Sequence, residues 1–230
     1  MGKRQPVQQP PPVQKVRLRY TKRGAARFTS HRDFGRALER ALRRAEVPMA
    51  YSSGFSPHPR ISYANASPTG AASEAEYVEL GLSEQCSPER LAEALNEVLP
   101  SGFLIADAAE ARKESLGELL QASDWTMVLT ADEGVLSRAA DALLAMERCD
   151  VERMTKNGLR TFDVRGSLVS LRVLDQRTLA VRLRHGIPLV RPDDVLTALR
   201  HVAPEVPPSG LLTRVAQGPL EGEEIGDPLR

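Results

Sequence analysis

The chain is expected to be an α+β protein: two tandem ferredoxin-like (β-α-β-β-α-β) units, the second with an added hairpin. Three observations predict it. Apolar periodicities of two and of three-to-four alternate in a similar order in both halves, and turn residues fall between them. A length of 230 residues also suffices for two small cores. Residues 1–14 are expected as a disordered Pro-rich tail, 15–112 as the first unit, 123–218 as the second and 219–230 as a flexible acidic tail.

In the first unit, Val16–Tyr20 alternates apolar and polar residues as a half-buried strand does. Thr21–Arg27 reads as a loop. Ser30 is a helix cap with Asp33 three residues on. Phe34, Ala37, Leu38, Ala41, Leu42 and Ala45 then form one apolar helical face running to about Glu46, where Val47-Pro48 stops it. Met49–Tyr51 is expected as a short strand, Ser52–Arg60 as a rigid loop and Ile61–Ala64 as an extended piece. Glu74–Leu82 alternates as a strand. Ser87 and Pro88 open a second helix, and Phe103–Ala109 follows as a strand.

A helical stretch at Ser115–Ala122 leads to the second unit. There Asp124–Thr130 reads as a strand and Asp132–Glu147 as a helix. Cys149–Met154 pairs with Arg160–Val164 around Lys156-Asn157-Gly158, a strong hairpin signal. Leu168–Leu174 pairs with Thr178–Arg184, Pro192–Val202 is a helix and Leu211–Ala216 a closing strand.

Composition narrows the function classes. No run of 18 apolar residues occurs, so no membrane span is expected. Lys3 and Arg4 precede no apolar segment, which points to the cytoplasm. The two cysteines, Cys86 and Cys149, lack the neighbours that a disulfide framework, a zinc knuckle or an iron–sulfur centre needs. Net charge is +1, yet residues 1–60 carry +11, 61–150 carry −12 and 151–230 carry +2. Either the first segment builds a basic surface, or acidic elements neutralise it on folding.

Chemistry concentrates between Arg27 and Tyr77. Arg27, Arg32, Arg36, Arg40, Arg43, Arg44 and Arg60, with Lys22 and Arg23, are candidates for binding phosphate. Tyr20, Tyr51, Phe55 and Tyr63 lie close in sequence and suit stacking on unpaired bases. Ser52, Gly54, Phe55, Pro57, His58 and Pro59 form a stiffened loop suited to a substrate. His31 and His58, assisted by Tyr51, Ser30 or Ser52, are the candidate acid–base pair for metal-independent RNA cleavage. His31, His58, Glu74 and Glu76 show no recognised ligand spacing, so no metal is expected. His185 and His201 read as structural.

Arg36-Ala-Leu-Glu-Arg-Ala-Leu-Arg-Arg44, Pro48-Met-Ala-Tyr-Ser-Ser-Gly-Phe-Ser-Pro-His-Pro-Arg-Ile-Ser62 and Gly70-Ala-Ala-Ser-Glu-Ala-Glu-Tyr77 resemble the signature of the radical SAM-linked domain, DUF2344. The likeness is specific across Val16–Leu82 and looser to about residue 216, with Asp163, Arg191 and Pro192 in family-like places. The Pro-rich extension departs from it. The resemblance implies a separate radical SAM protein as partner, iron–sulfur chemistry outside this chain and no cofactor within it. The expected role is a non-catalytic module that binds RNA or another phosphate-rich substrate, or docks the enzyme. The alternatives are an RNA-cleaving or RNA-modifying enzyme using His31 and His58, and a protein-docking scaffold.

Overall fold

Alternation along Gln14–Lys22 (β1) turns Val16, Leu18 and Tyr20 toward one face of a sheet, where all three are buried. A computed structural model describes residues 8–155 and 158–230, and the chain is a mixed α+β protein. Its residues cluster into two units, one reaching Gly117 and including Leu229–Arg230, the other Glu118–Pro228. Among the described residues, no helix is long and apolar enough to cross a membrane.

In the first unit, β1 is followed by a 3-10 turn at Gly24–Phe28, where the sequence suggests a loop, and then by His31–Arg44 (α1). The Ser30 hydroxyl accepts from the Asp33 amide and donates to the Asp33 carboxylate, closing the first turn as expected. Phe34, Ala37, Leu38, Ala41 and Leu42 are its buried face. The helix stops before the proline has any say. Glu46 takes a left-handed φ of 50°, its N–H reaches Arg43 and the Val47 N–H reaches Leu42, satisfying the last carbonyls.

Ile61–Ala64 (β2), Ala72–Leu82 (β3), Pro88–Asn96 (α2) and Phe103–Glu110 (β4) complete the unit. The strands run β4-β1-β3-β2, every neighbour antiparallel. The helices bury Phe34, Leu38, Leu91 and Leu95 with the strand residues Leu18, Val78 and Leu80. Phe34 stacks on Tyr20 at 4.2 Å and meets Phe103 at 4.9 Å. Arg17, 1% exposed, is opposite Glu79 in the β1–β3 register and donates to it at 2.9 Å. Burial pushes the Glu79 carboxyl up, but hydrogen bonds and charge from Lys15 and Arg17 outweigh it and hold the group below its ordinary value.

The second unit contains Leu116–Leu119 (α3, whose first residues belong to the first unit), Ala122–Val128 (β5), Val135–Ala145 (α4), Asp150–Thr155 (β6) and Gly158–Asp163 (β7). Val164–Ser167 (α5), Leu168–Val173 (β8), Thr178–Arg184 (β9), Pro192–Val202 (α6) and Leu211–Gly218 (β10) follow. Its sheet runs β10-β5-β9-β8, again antiparallel, and β6–β7 is a separate hairpin. Residues 156–157 of the expected Lys156-Asn157 turn lie outside the described residues. The helix expected from Asp132 begins only at Val135, after Gly134 takes a left-handed φ of 74°. Residues 219–230, expected as a loose tail, contain the strand pair Leu220–Glu221 (β11) and Glu224–Ile225 (β12), and Leu229 is buried.

Two positions with positive φ respond oppositely to substitution. Glu46→Gly removes a side chain from left-handed backbone and is expected to raise the unfolding free energy by about 1 kcal/mol. Gly102→Ala puts a methyl 2.7 Å from the Ala26 Cβ at a φ of +91° and is expected to lower it by roughly 2 kcal/mol. Urea denaturation of both variants measures the difference.

Candidate functional site

The loop after α1 is held by a closed set of backbone bonds. The Ala50 N–H donates to Gly81 O, the Gly81 N–H to Arg60 O, and the Arg60 N–H to Ala50 O, each at 2.8 Å. Met49 and Tyr51 therefore make only isolated bridges, to Leu82 and Pro59, where the sequence suggests a strand. Gly81 has to lack a side chain. A Cβ there would lie 2.9 Å from Pro12 Cγ and 3.0 Å from Arg60 Cβ.

Within the loop, the Ser52 N–H donates to His58 O at 2.9 Å and the His58 N–H to Ser52 Oγ at 3.0 Å. Together with Pro57 and Pro59 these bonds fix the backbone that presents His58. Gly54 supplies a φ of +137° at the tip, which an L side chain would not tolerate. Arg60 Nε donates to Tyr51 O at 3.1 Å, so Arg60, a candidate phosphate ligand, braces the loop from within.

This loop and the second half of α1 enclose a groove of about 170 Å³. Leu42, Val47 and Met49 give it an apolar lining. Tyr51, Pro57, His58 and Pro59 line it from the loop, and Glu39 and Arg43 from α1. The Arg43 guanidinium lies 3.7 Å from the Glu39 carboxylate and also bonds the Glu39 carbonyl.

Beside the groove, Tyr63 on β2 leans against the same helix. Its ring meets His31 edge-on at 4.7 Å, and its hydroxyl lies over Gly35, where a Cβ would be 3.3 Å away. His31, Gly35 and Glu39 follow at intervals of four, one line along the helix. The buried Tyr63 hydroxyl has no hydrogen-bond partner among the described residues. Burial, and secondarily the Glu39 charge, pushes its pKa up to about 12.

The candidate residues are thus sorted into separate places. His58, Tyr51 and Arg43 share the groove, whereas His31 packs on Tyr63 and does not line it. A rise of about 1.5 Å per residue sets His31 roughly 12 Å from Glu39 along the axis. Arg32, Arg36, Arg40, Arg43 and Arg44 are all exposed on α1. Arg36 pairs with Asp33 at 3.8 Å, while Arg32, Arg40 and Arg44 make no ion pair among the described residues. Arg27 stacks its guanidinium on Phe28 at 4.6 Å. Of the aromatics singled out by sequence, Tyr51 and Phe55 are 42% and 77% exposed, but Tyr20 is buried and Tyr63 half-buried. Phe28, at 59% exposed, was not among the aromatics singled out.

The acidic residues weighed as metal ligands are engaged elsewhere. Glu74 pairs with Arg23, and Glu76 accepts the Ser67 N–H at 3.0 Å. Among the described residues no group of three His, Cys, Asp or Glu is arranged to hold a metal ion. Sequence reasoning passed over Glu39, whose one signal was an acid inside an otherwise arginine-rich helix face.

Fold and groove together define an α+β protein with a cationic helix face flanked by a pinned, aromatic-bearing loop. The family profile described as an uncharacterized protein conserved in bacteria, DUF2344, matches residues 15–192. The chain belongs to the DUF2344 family. No curated protein matches it.

The unpartnered phenol makes a clear prediction. Tyr63→Phe removes a buried hydroxyl that forms no bond, so unfolding free energy should stay level or rise by about 1 kcal/mol. A loss of more than about 2 kcal/mol in urea titration would mean that the hydroxyl has a partner in solution.

Proposed function

We propose that this protein is a non-catalytic binding module for single-stranded RNA, engaging it through the exposed face of α1 and the Tyr51–Arg60 loop. The observation that carries the reading is that α1 exposes three arginines with no ion pair among the described residues, Arg32, Arg40 and Arg44, and that the loop meeting this helix at the groove exposes Tyr51 and Phe55. Arginines attract the phosphate backbone, and open aromatic faces stack on unpaired bases. Separation of His31 from the groove argues against a two-histidine cleavage site, so binding without turnover is the better-supported role.

The architecture is compatible with this use. We read each unit as ferredoxin-like, a reading supported by the element orders and by the antiparallel strand orders β4-β1-β3-β2 and β10-β5-β9-β8. The family resemblance supports a separate radical SAM protein as the partner that acts on the bound RNA, with this chain contributing no cofactor; we propose that both work in the cytoplasm.

Fluorescence anisotropy of a labelled single-stranded RNA across a salt series tests the reading. Each phosphate contact contributes about 0.7 to the slope of log affinity against log salt. The triple variant Arg32/Arg40/Arg44→Glu should flatten that slope by about 2 and weaken binding at least tenfold. Unchanged binding by the variant would overturn the proposal.

A further inference from the structure

We propose that the groove between α1 and the Tyr51–Pro59 loop is a binding site for one unstacked guanine base, an inference that rests on the RNA reading above. Size is the first argument. A cavity of about 150 Å³ holds a benzene ring, so this open groove of about 170 Å³ takes one planar base and not a drug-sized ligand. Lining is the second. Leu42, Val47 and Met49 supply apolar contact, and Tyr51 and His58 put two ring-bearing residues in the lining, the residue types on which a base stacks.

The polar groups then select among bases. Glu39 and Arg43 are the charged groups that α1 adds to the lining, with the carboxylate and guanidinium 3.7 Å apart. Read across, this pair offers two acceptor positions next to donors. The Watson–Crick edge of guanine is the complement: N1–H and the N2 amine donate to the carboxylate, and O6 accepts from the guanidinium. Adenine and cytosine each present one amine beside a ring nitrogen lone pair, which would face the second carboxylate oxygen and repel it. Uracil flanks its one N–H with two carbonyls. Guanine alone gives every one of these groups a partner.

The Glu39 side chain stays 42% exposed, within reach of a base entering the groove. Fixing of His58 by Ser52 holds the loop in place before a base arrives, so ordering it costs little on binding.

The experiment uses the full chain and single-stranded RNA octamers: all uridine, or uridine with one central guanosine, inosine, adenosine or cytidine. The guanosine octamer should bind about tenfold tighter than the all-uridine one. Inosine, which keeps N1–H but lacks the amine, should lose most of that gain, and adenosine and cytidine should show none. In Glu39→Gln, folded by circular dichroism, the guanosine-to-uridine affinity ratio should fall toward one. Equal binding of all octamers by the wild type, or a ratio untouched by Glu39→Gln, would overturn the guanine assignment. If the arginine triple variant still lost affinity in that case, RNA binding itself would stand. Failure of every octamer to bind would overturn both.

Discussion

Three backbone hydrogen bonds among Ala50, Arg60 and Gly81 set the position of the Tyr51–Pro59 loop and, with it, of the groove against α1. They tie the two ends of the Tyr51–Pro59 loop to each other and to the central part of the unit's sheet, since Gly81 belongs to β3. A side chain at Gly81 would push on Pro12 and Arg60 together, so the loop can sit here only because that residue has none. From this anchor, Ser52 fixes His58, Arg60 holds the Tyr51 carbonyl, and the groove against Glu39 and Arg43 takes its shape. A loop without such ties would have to be ordered at the expense of affinity.

Charge follows the same division between scaffold and surface. Three basic residues of β1, Lys15, Arg17 and Arg19, are answered within the sheet. Arg17 and Lys15 pair with Glu79, Arg19 approaches Asp107 at 3.7 Å, and Arg23 beyond the strand end pairs with Glu74. Among the described residues, the arginines of α1 pair only with Asp33 and Glu39, at 3.7–3.8 Å, in exposed pairs that contribute little. Of the two outcomes open to the +11 segment, neutralisation describes its strand and a free cationic face describes its helix.

Local signals made much of the first unit readable. The Ser30 cap, the apolar stripe from Phe34 to Leu42, and Pro88 at the start of α2 each act within a few residues, and each lies where the pattern puts it. What stayed hidden depends on distant partners. Nothing in Met49-Ala-Tyr51 says that its hydrogen bonds go to Gly81 and Arg60 and not to a strand of its own. Tyr20 and Tyr63 look alike in sequence, yet stacking on Phe34 buries one and contact with His31 half-buries the other. Glu39 gave no local signal of a groove, because the groove it lines exists only when the loop folds back against α1.

On the proposed reading, RNA meets this protein at α1 and the pinned loop. Ultraviolet crosslinking of bound single-stranded RNA, followed by mass spectrometry of the digested protein, reads that contact directly. Nucleotide adducts are expected on Tyr51 or Phe55, reduced when Arg32, Arg40 and Arg44 are replaced by glutamate. Adducts confined to Glu118–Pro228, or efficient crosslinking unaffected by those replacements, would contradict that reading.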